Sequence, residues 1–190
     1  IYTEFGGVYT GMDHAVHNVV EERAQYEAAA GSAEGEFYSD FSLWDTFRTQ
    51  NPFLLLTDEP MFVGVLRTWG EMSQQQDAFP KWTSGSNDNG CMIGLAGASG
   101  VLEAGLAGYG QNDMDLEGMQ QKLQRAATVD KSKNSRGSSI VPYLQYGYVN
   151  TELNEHASSL TVTYAYDDYV LGGISALVAA ASLDADTKKK

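Results

Sequence analysis

An all-α fold is predicted from three features of the sequence. Apolar residues recur at three- and four-residue spacing along most of the chain, capping residues stand in front of those runs, and no strand–helix alternation or internal repeat is present. The opening to about Gly11, with aromatics alternating with small residues, reads as a short strand or an extended arm. Residues His14 to Ala30 are helix-compatible and stop at Gly31. The loop "GSAEGE" follows.

Ser39 or Asp40 is placed to cap the next helix, whose Leu43, Phe47 and Leu54 share one face. Pro52 is expected to end or kink it. Asp58 is a plausible N-cap with Pro60 in the first turn, followed by Phe62, Val65, Leu66, Trp69 and Met72 at helical spacing. "FPKWTSGSNDNG" reads as a loop. Met92 to Ala107 reads as a glycine-rich helix. Gly94, Gly97, Gly100 and Gly105 each cost roughly 1 kcal/mol against alanine, which implies close packing on a neighbour or a ligand. Asp113 or Asp115 caps a helix with Leu116, Met119, Leu123 and Ala127 inward. Residues Asp130 to Ala157 show no period, and so long a loop is often functional. Ser158 or Ser159 caps a last helix, Leu160 to Leu183.

The chain has 190 residues, 43% hydrophobic, with a net charge of −13. That is enough for one domain or part of a larger one. The acidic balance argues against a nucleic-acid or anionic-lipid partner. The single cysteine, Cys91, excludes an internal disulfide and is expected to be buried. No apolar run is long enough to span a membrane. The chain opens at Ile1 inside "IYTEFGGVYTGMDH", which reads as the interior of a longer protein.

Several motifs reduce to structural roles. "GLAGASG" and "GYGQND" lack the dinucleotide-binding spacing. "DMDLEG" is similar to the start of a calcium loop, but its twelfth position is Gln124, where a bidentate acid is needed, so a helix cap is the better reading. Asp13, His14 and His17 could ligate a metal only with a fourth ligand that is not nearby. His156 falls in a loop. Asp167 and Asp168 are different, being adjacent acids in the aromatic run "YAYDDYV". Two neighbours on a helix point about 100° apart, so one is directed toward packing or a pocket. Buried acids are rare unless paired, which leaves structural pairing and sugar binding both open. In "YSDFSLWDTFRTQNP", Trp44, Asp45 and Arg48 stand within five residues. They form either a surface ion pair, worth about 0–1 kcal/mol, or one wall of a binding pocket.

"SLWDTFR" resembles the signature of glycoside hydrolase family 92, the exo-acting α-mannosidases. Further landmarks follow in the family's order. "FPKW" resembles "LPxW", and "MIG" with "LEA" (Leu102 to Ala104) resembles "MIGxHAxxxxADAxxKG". "YGYV" resembles "GYVP", and "TVTYAYDDY" resembles "TLEYAYDDW". Departures occur at Leu95, Ala96 and Gly97 in place of "NHA", Thr163 in place of glutamate, Asn150 in place of proline, and Tyr169 in place of tryptophan.

The resemblance implies part of an (α/α)6 barrel, a helical toroid. Residues 1–190 would be the N-terminal portion of the catalytic domain, with a preceding β-sandwich and the rest of the barrel absent. It implies calcium-dependent, inverting hydrolysis of terminal α-mannosides, with mannose-terminated glycans and the remainder of the same polypeptide as partners. A secreted or extracytoplasmic setting is expected. Catalytic carboxyls and most calcium ligands are expected beyond Lys190, so the chain would supply recognition and be inactive alone. Trp44 would offer an apolar face to the sugar, Asp45 would accept from its hydroxyls, Arg48 would orient Asp45 or a neighbouring loop, and Trp82 would line the rim. The alternative is a non-catalytic carbohydrate-binding or structural remnant of the same fold.

Overall fold

The computed structural model describes residues 2–4, 8–18, 37–110 and 113–188. Most of these are helical. Strands β1 (Tyr2–Glu4) and β4 (Phe37–Ser39) pair antiparallel, as do β2 (Val8–Thr10) and β3 (Val16–Asn18). Helices α1 (Leu43–Thr46), α2 (Gln50–Thr57) and α3 (Glu59–Gln75) follow, then a hairpin of β5 (Thr83–Ser84) and β6 (Asn87–Asp88). Helices α4 (Ala98–Leu106), α5 (Leu116–Thr128), α6 (Ile140–Tyr146) and α7 (Ala157–Lys188) complete the order. The helical class stands, and three small two-stranded sheets among the described residues qualify the all-α expectation.

The core is organised on α3. Asp58 caps it, accepting from the Met61 N–H at 3.3 Å, and Pro60 costs nothing in a first turn whose N–H groups lack intrahelical partners. The expected stripe Phe62, Val65, Leu66, Trp69 and Met72 is fully buried. The Trp69 ring meets Phe41, Phe62 and Phe79 edge-on, the geometry that aromatic quadrupoles favour. Helix α7 runs along α4 and α5. There the glycines allow close approach. A Cβ on Gly105 would strike Leu177, and one on Gly173 would lie 2.8 Å from Leu102.

Several boundaries differ from expectation. Residues 14–18 form a turn and strand rather than a helix start; the rest of the expected helix, residues 19–30, lies outside the described residues. Ser39 belongs to β4, and Asp40 (φ 59°) accepts from the Gly85 N–H, so neither caps a helix. Pro52 does not end a helix but sits in the first turn of α2. A helix continuing from α1 would set its ring against the Arg48 carbonyl, and the chain breaks at Phe47–Thr49 instead.

Met92 to Gly97 is not helical, since Met92 (φ 71°) and Gly94 (φ 78°) are left-handed; the helix begins only at Ala98. The loop from Phe79 contains the β5–β6 hairpin. Within 130–157, α6 lies between left-handed Ser139 and Gly147. Helix α7 starts at Ala157, placing Ser158 and Ser159 inside its first turn. Asp115 caps α5 by accepting from Gly118 N–H at 3.1 Å, as the cap reading of "DMDLEG" requires.

Candidate functional site

The WDTFR segment forms α1 and the turn after it. Leu43 anchors it in the core, and Ser42 bridges to Trp82 in the hairpin strand direction. Anchoring one side leaves Trp44, Phe47 and Arg48 at an open groove of about 460 Å³. The Arg48 Nη1 donates to the Trp44 carbonyl at 3.0 Å. Its guanidinium carbon lies 5.0 Å from the Trp44 ring centre and 4.2 Å from that of Phe47. Cation–π contact thus holds Arg48 against the aromatic wall.

Asp45 is exposed and takes a short hydrogen bond from the Ser42 hydroxyl. It is not paired with Arg48 among the described residues, and it is not a groove wall. Of the two roles expected for Arg48, orienting Asp45 or a neighbouring loop, the first has no contact among the described residues: Ser42 bonds Asp45, and Arg48 bonds the Trp44 carbonyl. Trp82 also stands outside the groove lining, with its backbone N–H donating to Asp88.

The facing wall comes from α7, through Val162, Thr163, Tyr166 and Asp167; Gly94 and Ala96 lie between the walls, and Glu103 of α4 completes the lining. The adjacent acids divide as two neighbours on a helix must. Asp168 points to Arg136, accepting from its Nη1 at 2.5 Å and from the Tyr143 hydroxyl at 2.9 Å. Arg136 is fully buried between the Tyr143 and Tyr164 rings, each 4.8 Å away. Asp167, 2% exposed, faces the groove side. Its Oδ1 accepts from the Leu95 N–H at 3.0 Å, while its Oδ2 has no partner among the described residues. Burial raises its pKa to about 6, against the opposing pull of the Leu95 N–H and Arg136. Lys81, buried nearby and donating to the Ser135 carbonyl at 2.7 Å, is lowered by desolvation to about 8.

Gly94 locks this corner. Its N–H donates to the Arg136 carbonyl at 2.6 Å, and a Cβ there would lie 2.6 Å from the Thr163 Cγ2 and about 3.4 Å from the Asp167 Oδ1. Gly94→Ala therefore combines left-handed backbone with a clash. It is expected to destabilise by about 2 kcal/mol or more, read as a lower urea midpoint.

The remaining candidates lie outside the groove. His17 Nε2 contacts both Asp13 oxygens, at 2.9 and 3.1 Å, and its ring stacks on Tyr9. Among the described residues no three His, Cys, Asp or Glu side chains converge as a metal site. His156 is exposed beside Glu155. Cys91 is exposed rather than buried, because the loop that carries it turns outward after Gly90. No described helix is long and apolar enough to cross a membrane. Phe47, Glu103 and Tyr166 were missed as groove residues. Phe47 shares the core-facing periodicity, and Tyr166 is identifiable only once α7 is seen to leave one side of its aromatic run uncovered.

Fold and groove together define a helical domain with an open groove walled by aromatic rings and carboxylates. The chain belongs to glycosyl hydrolase family 92: the model of that family's catalytic domain matches residues 5–189. Among solved structures, the family GH92 α-mannosidase BT3965 from Bacteroides thetaiotaomicron superposes with a TM-score of 0.73 at 22% identity, covering 96% of this chain and 22% of that one. The same enzyme in complex with mannoimidazole gives 0.70 at 22% identity, covering 91% and 20%. The inverting mannosidase BT2199 from Bacteroides thetaiotaomicron VPI-5482 gives 0.73 at 22% identity, covering 94% and 22%. At this identity the likeness establishes a shared fold, and the chain spans about a fifth of each solved relative's length. No curated protein matches the chain.

Proposed function

We propose that this chain is the substrate-recognition part of a calcium-dependent, inverting α-mannosidase, its helices forming part of an (α/α)6 barrel. The observation that carries the reading is the groove between the WDTFR turn and α7, with an aromatic wall on one side and Asp167, one oxygen of which has no partner among the described residues, on the other. Trp44 offers a flat face to sugar C–H groups. Arg48, prepositioned by the rings, donates to ring or hydroxyl oxygens. Asp167 accepts from a hydroxyl, and a charged acceptor strengthens that bond. Asp45 stands beyond the groove wall with Ser42 and would meet a more distal part of a mannose-terminated glycan.

Inversion needs two carboxyls about 6.5–9.5 Å apart, one giving a proton and one activating water. Asp167 and Asp168, adjacent on one helix, do not flank a glycosidic bond, so the reading assigns the pair to the polypeptide beyond Lys190. Calcium belongs to the family resemblance. The described residues offer it no cluster of ligands, and no step is routed through it. A secreted or extracytoplasmic setting remains part of the proposal.

A second reading, a non-catalytic carbohydrate-binding member of the fold, is favoured by one observation. Ala96 and Thr163, the departures from the family's histidine and glutamate, both line the groove. Aryl α-mannoside hydrolysis by the full-length polypeptide with added calcium separates the two. Turnover is expected, with Trp44→Ala lowering kcat/KM by about tenfold to a hundredfold, the scale of a buried aromatic anchor. Binding without turnover would favour the second reading, and an unchanged kcat/KM in the folded variant would remove the groove from the site.

A further inference from the structure

A second carboxylate of the groove has an oxygen without a donor among the described residues. Glu103 lies on α4, across from the α7 wall, and lines the groove. Its Oε2 is shielded from water and has no hydrogen-bond partner among the described residues. Burial shifts its pKa upward, with no opposing contribution from a donor. The cation of the groove does not serve it: Arg48 is engaged with the Trp44 carbonyl and two rings, and it forms no ion pair with Glu103. An ionised carboxylate is acceptor-only. Buried polar groups are nearly always satisfied, and an unpartnered acceptor on a groove-lining side chain is one that a ligand donor can serve.

We propose that Glu103 is a ligand-binding residue: its carboxylate accepts a hydrogen bond from a hydroxyl of the sugar that occupies the groove. This rests on the reading of the groove as a sugar site. With Asp167 it gives the groove two acceptor carboxylates on separate helices, which favours a neutral ligand presenting several hydroxyls over an anionic one. The side chain is half-buried and has no hydrogen-bond or ion-pair partner among the described residues, so the fold draws no bond from its charge.

The test is calorimetric titration of methyl α-mannoside and its monodeoxy analogues into the full-length polypeptide, wild type and Glu103→Gln. Glu103→Gln is expected to weaken methyl α-mannoside about tenfold or more, the scale of a charged hydrogen bond. For one deoxy analogue the two proteins should agree, because the hydroxyl that Glu103 reads is gone. The melting temperature of Glu103→Gln should be unchanged or slightly higher, since a half-buried carboxylate without a protein donor is made neutral. Glu103→Asp, which withdraws the carboxylate by one methylene, supplies the same comparison if the glutamine variant folds poorly. Equal affinities of wild type and variants for every ligand would overturn the role of Glu103 and leave the groove as a sugar site. Equal weakening for every analogue would overturn direct contact. Absence of mannoside binding by the wild type would remove the sugar-site reading and this inference with it.

Discussion

Asp88→Ala is expected to destabilise the fold by about 4 kcal/mol or more, at the extreme of single-residue effects. Five donors converge on this carboxylate. Oδ1 accepts from the Trp82 and Gly90 N–H groups, both at 3.0 Å. Oδ2 accepts from the Lys81 N–H at 3.0 Å, Gln76 Nε2 at 3.1 Å and Asn134 Nδ2 at 2.8 Å. The end of α3, the hairpin and the loop after α5 are thereby fastened to one side chain. Removing it strands several donors, each costing about 1–3 kcal/mol where buried. Asp88→Asn should cost less, and for a specific reason. With its oxygen toward Trp82 and Gly90, the new amide faces the Lys81 N–H, which cannot turn, and the Asn134 Nδ2, which also donates to the Phe79 carbonyl at 2.9 Å and so cannot flip; the Gln76 amide can turn to accept. The Lys81 N–H and one Asn134 N–H are then left unmet, each costing about 1–3 kcal/mol where buried, against five stranded donors in the alanine variant. Urea midpoints for the two variants check the order. An alanine variant within 1 kcal/mol of wild type would show that water replaces the clasp.

The Asp88 clasp also marks what sequence alone could carry. The periodic stripe of α3 and the Asp58 and Asp115 caps are local signals, because a helix buries a face at fixed spacing and caps through neighbours three residues away. Asp88, in contrast, gathers partners from residues 76 to 134, and nothing in "SNDNG" announces them. Gly94 misled for a related reason. Glycine at helical spacing can mean close packing, and the packing is there, but its left-handed backbone belongs to a loop tied to Arg136. For the groove, Trp44 and Arg48 were legible as a motif, and the two directions of Asp167 and Asp168 follow from helix geometry. Glu103 was not legible, because its role depends on a missing donor, and an absence of partners is a property of the folded arrangement.

Asp167→Asn is expected to stabilise the fold near pH 7 and to reduce the pH dependence expected of the wild type. The Asp167 pKa is raised from 3.8 to about 6, chiefly by burial. The charged groups that face it are Lys81 beside the hairpin, Arg136 from the loop before α6, and Asp168 on its own helix. Between about pH 4 and 6 the folded state binds more protons at this site than the unfolded state. Its contribution to stability is therefore fully present below pH 4 and is lost as pH rises through 6, by about 3 kcal/mol in total. Lys81 acts at the other end. Its pKa falls to about 8, so the unfolded state binds more protons above that value, and stability rises with pH toward 10. Between these limits both buried groups carry charge, and the fold is held at the least favourable point of their combined profile. Asparagine keeps an oxygen for the Leu95 N–H and places a neutral group where Oδ2 has no donor. Urea midpoints from pH 4.5 to 7 should thus fall less steeply in Asp167→Asn than in wild type, with the variant ahead at pH 7. Parallel profiles would show that burial of Asp167 is not what the wild type titrates. A carboxylate kept at a position where its amide is more stable is the pattern expected of a residue retained for binding rather than for folding. The same variant should accordingly lose mannoside affinity while gaining stability.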